Sequence, residues 1–283
     1  MSAAVTERDT LALSKAQFQR LAGFISGHLG IKMNEVKLPM LQSRLMRRLR
    51  ALNLPTLEAY EAFLFSPEGQ AEVEAFVNAV TTNKTDFFRE PKHFEILTNR
   101  VVPEWVAARP VRSRFQLWCA GCSSGEEAYT QAMVLSEWGR QQAAFDYAIL
   151  ATDISTRVLG LAERAVYEEE RIDPIPEPLR RAYLLRSRSQ DGRYRISAEL
   201  RSRVHFHQLN FMDEHYRVGD LFDAIFIRNV MIYFDRPTQE KVVNRLCRHL
   251  APGGYLFIGH SESLNGLNVP VRLAGPALYR KVS

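Results

Sequence analysis

Beyond about residue 110, this 283-residue chain alternates short apolar runs with stretches whose apolar residues recur every three or four positions. Few folds accommodate that pattern. The runs expected as strands are Phe115–Ala120, Tyr147–Thr152, Val204–Leu209, Phe222–Ile227, Tyr255–Gly259 and Ala277–Lys281. Helices are expected at Glu126–Trp138, closed by Gly139, at Thr156–Ala165 and at Thr238–Leu250, with Pro252-Gly253-Gly254 turning into the next strand. Strands alternating with helices imply an α/β fold with a mostly parallel, doubly wound sheet. The alternation breaks between Tyr167 and Arg203. There Pro174, Pro176 and Pro178, a helical stretch and the turn signal Gln190-Asp191-Gly192 predict a small inserted subdomain containing a hairpin.

The chain before this region is different in kind. Apolar spacings predict helices over Lys15–Leu29, Val36–Leu52, Leu57–Phe65 and Glu72–Val80, punctuated by Pro55-Thr56 and Ser66-Pro67. The expected organisation is an all-α domain over residues 1–80, then a linker and lid segment over 81–110, with a helix at Lys92–Ala107 and a break at Pro110. A sheet domain over 111–283 follows, its insertion at about 167–203. No apolar run is long enough to span a bilayer, and the N-terminus lacks the pattern of a secretory signal. Three cysteines cannot build a disulfide framework, so a cytoplasmic protein without membrane insertion is expected. A net charge of +5 selects no partner by itself.

In open α/β sheets ligands sit just past the carboxyl ends of the strands. Four consecutive strand ends carry polar groups here. The first runs into Trp118–Tyr129, WCAGCSSGEEAY, whose small residues let a ligand approach the backbone. It is a poor match to a dinucleotide fingerprint, and Glu126 with Glu127 favours a cationic ligand over an anionic one. The second ends at Asp153, suited to ribose hydroxyls or to capping the next helix. The third ends at Asn210, and the fourth, FDAIFIRNVMIYFD, breaks abruptly from a buried run into Arg228-Asn229. A positively charged nucleoside cofactor fits these groups, and S-adenosylmethionine fits better than NAD or ATP.

Five segments in order, TTNKTDFFREPKHFEIL (Thr81–Leu97), AGCSSGEEAY, ATDIS (Ala151–Ser155), FDAIFIRNVMIYFD and GYLFIGHSESL (Gly254–Leu264), make the chain resemble the CheR family. These are chemotaxis receptor methyltransferases that use S-adenosylmethionine to form glutamate methyl esters, and the resemblance covers nearly the whole chain. It implies a Rossmann-like class I methyltransferase sheet preceded by an all-α domain. It implies cofactor contacts from Asn83, Thr85, Arg89, Glu127, Asp153, Asn210, Phe211, Arg228 and Asn229, with Glu126 left as structural. Phe211 departs from the usual Asn-Leu strand end, which is tolerable if only its backbone meets adenine. Arg89 and Tyr233 correspond to the residues near the transferred methyl group. The resemblance further implies membrane chemoreceptors as partners, a monomer, and S-adenosylhomocysteine as product.

Arg44, Arg47, Arg48 and Arg50 lie in a stretch without acids, and the first three share a helix face. Such clusters are ordinarily solvated, but the resemblance implies that this face meets the acidic helices of the receptor. The same helix would suit nucleic acid, which keeps open an RNA, DNA or small-molecule methyltransferase; a non-catalytic, cofactor-sensing adaptor is the other alternative. The strand end Asn229-Val230-Met231-Ile232 differs from the Asn-Pro-Pro-Tyr type associated with base methylation, so no nucleic-acid partner is expected. The insertion tip Ser187–Tyr194 lacks the glycine-rich loop of relatives that bind a receptor tail peptide, so tight tail binding is not expected. Cys119 and Cys122 lack a second CxxC, His205 and His207 lack further ligands, and no metal is expected. His260-Ser261-Glu262 lacks a nucleophile elbow and reads as a loop rather than part of a hydrolytic triad.

Overall fold

The computed structural model describes residues 12–108, 113–142, 144–189, 191–219 and 221–282. The break expected at Pro110 and Gln190 of the expected hairpin turn lie outside the described residues. Contacts divide the chain into a helical unit, Met1–Thr82 with Tyr233–Asp235, and a sheet unit, Asn83–Ile232 with Arg236–Ser283.

In the helical unit, Lys15–Leu29 starts at a Ser14–Gln17 capping box and ends at Gly30, whose φ of 69° suits a left-handed cap. Its Phe18, Leu21, Ala22, Ile25 and Leu29 are buried, which is the three-and-four spacing read from the sequence. The helix expected from Val36 begins as a 3-10 turn, Glu35–Lys37, and becomes α-helical over Leu38–Ala51. It buries Leu41, Leu45 and Leu49. Leu57–Leu64 and Glu72–Val80 complete the unit.

Two of the four arginines expected to meet a partner are instead bonded within this unit. Arg48 forks onto Glu72, with Nε–Oε1 and Nη2–Oε2 both 2.7 Å, and the buried Tyr60 hydroxyl donates to the same carboxylate at 2.8 Å. Arg44 donates to the carbonyls of Val80 and Thr81 and to the Thr82 hydroxyl, capping the end of Glu72–Val80. Neither set of bonds can be read from the sequence. Helical spacing places residues on a face but does not reveal which neighbouring helix brings a carboxylate or bare carbonyls to it. Arg47 and Arg50 are exposed.

The sheet unit holds seven strands in the order β6-β2-β1-β7-β8-β10-β9. These are β1 (Arg114–Ala120), β2 (Asp146–Asp153), β6 (Val204–Gln208), β7 (Phe222–Ile227), β8 (Leu250–Ile258), β9 (Val271–Gly275) and β10 (Leu278–Lys281). The first five run parallel, while β10 lies antiparallel to β8 and β9 to β10. Every residue of β7 is buried, as its unbroken apolar run requires. The insertion forms its own antiparallel sheet in the order β3-β5-β4, from Val166–Glu168, Arg193–Ile196 and Leu184–Arg186.

Three local expectations change. Gly139 does not end its helix, which runs over Glu126–Arg140. A Cβ there would stand 3.3 Å from the Phe145 ring, so this glycine makes room for packing. Pro252-Gly253-Gly254 does not precede β8 but lies inside it, as an excursion where the pairing jumps from Phe222↔Leu250 to Ala224↔Tyr255. The helix expected over Thr238–Leu250 spans Arg236–Arg248. Lys92–Ala108 forms as expected, with a π-helical turn at Leu97–Val101.

The Arg48–Glu72 fork is partly buried, whereas Arg47 is exposed. Arg48→Ala is therefore expected to lower unfolding free energy by about 3 kcal/mol, through stranding Glu72 and Tyr60, and Arg47→Ala by less than about 0.5 kcal/mol. Urea denaturation of both variants checks the difference.

Candidate active site

Chain order reverses direction around β1 and β7: β2 and β6 extend to one side, β8 to the other. The crevice beyond the carboxyl ends of β1 and β7 is thus the switch point at which such sheets bind ligands. The turn after β1 passes through Gly121 (φ 85°) and Gly125 (φ 95°), conformations that glycine adopts without strain. A Cβ at Gly121 would lie 2.5 Å from a Val230 methyl carbon, so the β1 and β7 loops approach each other there in a way no larger residue allows.

The segment Asn83–Arg89 is bonded to these turns. The Ser123 hydroxyl donates to the Asn83 carbonyl at 2.8 Å, and the Phe88 N–H donates to the Thr130 hydroxyl at 3.2 Å. Arg171 of the insertion donates to the Thr85 carbonyl at 3.1 Å and pairs with Glu126, whose other oxygen accepts from the Ser124 hydroxyl at 2.7 Å. Glu126 is buried to 1 % exposure and spent on these contacts.

Glu127 faces Arg228. The Arg228 guanidinium, with a fully buried side chain, donates from Nη1 to Glu127 Oε2 at 2.8 Å. From Nη2 it donates to Glu90 Oε2 at 3.0 Å and to the Arg89 carbonyl at 2.5 Å. Its carbon lies 5.5 Å from the Phe94 ring centre. Cys119 Sγ and Gln131 Nε2 each stand 3.4 Å from Glu127 Oε1. Burial pushes the Glu127 carboxyl above the ordinary glutamate range, and the Arg228 charge opposes that rise. Burial acts likewise on Glu90, but the charge and hydrogen bond of Arg228, with Asn229, bring it below the ordinary range. Two carboxylates flank one guanidinium, so this buried cluster carries net negative charge.

Asp153 is 8 % exposed and accepts from the N–H groups of Ser123 at 2.9 Å and Ser155 at 3.0 Å. Burial raises its pKa against those bonds. The expectation that it might cap the next helix is not met: Ser155 does so, accepting from Val158 N–H at 3.4 Å. Asp153 instead ties the β1 turn to the end of β2 and retains lone pairs for further donors. Asn210 accepts from Met212 N–H at 3.0 Å in a tight turn. The carbonyl of buried Phe211 accepts from Tyr216 at 2.9 Å and Arg245 at 3.0 Å. Asn229 sits at φ 58°, its Nδ2 3.4 Å from Glu90 Oε1. All nine expected cofactor residues lie in the sheet unit, whereas Tyr233 groups with the helical unit, its carbonyl accepting from Lys32 N–H at 2.8 Å.

Glu90, His93 and Glu262 were not singled out by motif reasoning. Glu90 and His93 belong to the same quoted segment as Arg89, but only the fold shows that they turn toward Arg228. Glu90, His93 and His260 hold their metal-capable atoms within 4.8 Å of one another. The Glu90 oxygen among them already accepts from Arg228, and from His260 N–H at 3.3 Å. His93 is fully buried, its Nδ1 3.4 Å from Glu90 Oε2 without hydrogen-bond alignment, and its ring 4.6 Å from that of His260. Burial, then the Arg228 charge, lowers its pKa to about 4.

A doubly wound sheet whose switch point presents buried acids rather than a phosphate-binding loop defines a protein of the S-adenosylmethionine-dependent methyltransferase class. The family models agree. "CheR methyltransferase, SAM binding domain" matches residues 83–276, and "CheR methyltransferase, all-alpha domain" matches residues 16–81. The chain is 37 % identical over 272 residues to the chemotaxis protein methyltransferase of Borreliella burgdorferi, covering 95 % of each. It is 38 % identical over 276 residues to that of Escherichia coli strain K12, covering 97 % of this chain and 93 % of the relative. With that of Salmonella typhimurium it shares 38 % identity over 270 residues, covering 95 % and 91 %. The chain belongs to the CheR methyltransferase family. It binds S-adenosylmethionine and carries out methylation in chemotaxis. No described helix is long and apolar enough to cross a membrane.

Two measurements check this geometry. Arg228→Ala leaves two mostly buried carboxylates, each 15 % exposed, without their cation and is expected to destabilise the fold by about 3 kcal/mol. Arg228→Lys is expected to recover only part of this, because an ammonium cannot fork between two acids and a carbonyl. His93, whose pKa is about 4 when folded and 6.5 when not, contributes stability that is full above pH 6.5 and is lost as pH falls toward 4. Between those limits the loss is about 3 kcal/mol. Urea titrations at several pH values are expected to show it in the native chain, and a His93→Gln variant is expected to lack it.

Proposed function

We propose that this methyltransferase esterifies glutamate side chains on the cytoplasmic helices of chemoreceptors, acting in the cytoplasm as a monomer. The observation that carries it is the buried Glu127–Arg228–Glu90 cluster at the switch point, whose net negative charge suits a sulfonium and an ammonium group better than a phosphate. Bound S-adenosylmethionine supplies an electrophilic methyl group on a positively charged sulfur. Asp153 is suited to accept from ribose hydroxyls and Glu127 to face the cationic end. Asn83, Thr85, Asn210, Phe211 and Asn229 are proposed to contact the same cofactor, on the family resemblance. Arg228 acts on the cofactor through Glu127, since both of its terminal nitrogens already donate, to Glu127, to Glu90 and to the Arg89 carbonyl.

The chemistry asks little of acid–base groups. A glutamate carboxylate is already ionised at neutral pH, and charge is neutralised as the methyl moves. What the protein contributes is alignment of carboxylate oxygen, methyl carbon and sulfur. Arg89, partly exposed and donating to the Lys84 carbonyl at 3.4 Å, has further guanidinium donors to offer the substrate carboxylate. Tyr233 is proposed to orient a reacting group, on the family resemblance. On the helical unit the surface offered to an acidic receptor is Arg47 with Arg50, since Arg44 and Arg48 are engaged within the unit.

Incubation with radiolabelled S-adenosylmethionine and purified receptor is expected to place base-labile label on the receptor and none on RNA. Arg89→Ala and Tyr233→Phe are each expected to slow transfer by roughly a hundredfold, with unfolding free energy nearly unchanged; a folded, fully active Arg89→Ala protein would sink the assignment. Charge reversal at Arg47 and Arg50 together is expected to weaken receptor methylation about tenfold or more, with S-adenosylhomocysteine affinity kept.

A further inference from the structure

Glu262 is the part of the His260-Ser261-Glu262 loop that neither hydrolytic chemistry nor the family motifs explain. Its carboxylate ties two strand ends together. Oε2 accepts from the Gly259 N–H at 2.6 Å, just past β8, and from the Asn229 N–H at 2.9 Å, just past β7. Oε1 accepts from the Ile232 N–H at 3.3 Å, and the Met231 N–H also bonds to the group. One carboxylate has about four lone-pair directions, and here four backbone donors fill them. None of these donors has a partner in a regular ladder: β7 and β8 have ended, and Met231 and Ile232 open a 3-10 turn, Met231–Tyr233, whose first N–H groups have no acceptor within it.

Two further features depend on this strap. Asn229 holds φ at 58°, a left-handed conformation that asparagine tolerates better than other residues with a side chain and that fixes the course of this loop. Gly259 must lack a side chain. A Cβ there would stand 2.6 Å from Asn229 Nδ2, 2.9 Å from Glu262 Oε2 and 3.0 Å from Asn229 N. The glycine lets the glutamate reach across to the facing loop, and the glutamate fixes where that loop's amide side chain lies. Asn229 Nδ2 in turn stands beside Glu90, the second acid on Arg228.

We propose that Glu262 is a positioning residue of the methyl-transfer site: its carboxylate sets the backbone of residues 229–232 and so the placement of Asn229 against the cofactor. The inference rests on reading the ends of β1 and β7 as the cofactor crevice. Glu262 touches no reacting atom in it. An isosteric amide replaces one accepting oxygen with an NH2 group that faces backbone donors, so Glu262→Gln disrupts the strap while keeping its volume.

Amide hydrogen exchange and S-adenosylhomocysteine calorimetry on Glu262→Gln, Glu262→Ala and Asn229→Ala test it. Exchange at Asn229, Ile232 and Gly259 is expected to quicken about tenfold or more in Glu262→Gln, with Leu117 and Ile149 in the central strands unchanged. The dissociation constant is expected to rise about tenfold, with KM for the receptor unaltered, a pattern that a general loss of stability would not produce. Unchanged exchange at those three amides, or an unchanged dissociation constant in Glu262→Gln, overturns the proposal, whether or not Glu262→Ala folds. Asn229→Ala separates the causes. If it weakens binding and Glu262→Gln does not, the strap alone fails; if neither does, the placement of the cofactor at this loop fails with it.

Discussion

A single buried guanidinium organises the functional end of this molecule. Arg228 leaves β7 with no solvent around it and meets Glu127 from the helix that follows β1, and Glu90 and the Arg89 carbonyl from the segment that precedes β1. Taking one cation and two carboxylates out of water is expensive, and only close geometry with hydrogen bonds on most of the polar atoms offsets it. That requirement couples pieces of chain more than a hundred residues apart. It presses the 83–90 segment onto the sheet and leaves an excess of negative charge where a cationic ligand gains most. Arg228 Nε alone lacks a partner, so the arrangement is satisfied at both terminal nitrogens.

Around that cluster the loops are held by carboxylates, two accepting from backbone N–H groups and one from side chains. Asp153 joins the β1 turn to β2, Glu262 joins β7 to β8, and Glu126 joins the β1 turn to the insertion through Arg171. Loops at the ends of parallel strands cannot satisfy their N–H groups within the sheet, and buried acids do so without adding bulk. Positioning is therefore supplied by these groups, as suits a reaction in which alignment is the main demand.

Much of this was legible in advance. The helical spacings of Lys15–Leu29 and Glu72–Val80, and the unbroken apolar run of β7, dictate elements that form with those boundaries. So did the polar strand ends, because residue type and period suffice to identify them. Other features depended on partners remote in sequence. Helical spacing grouped Arg48 with Arg44 and Arg47 as an outward face, but Glu72 lies on another helix and claims Arg48. Arg228 looked like a ligand contact, and its three acceptors come from two distant segments. Glu262 reads from sequence as a loop residue, because no local pattern announces a side chain that bonds to the backbone of residues about thirty positions away.

By itself, then, the sequence determined the element types, the doubly wound order, the cofactor class and the family, since each follows from local periodicity or from contiguous motifs. Tertiary structure alone decided how charges are shared: which arginines are spent internally, which glutamate of the 126–127 pair faces Arg228, and which acid straps the loop after β7. Those outcomes turn on desolvation and hydrogen-bond geometry between groups far apart in the chain, and neither quantity exists until the strands have been placed side by side.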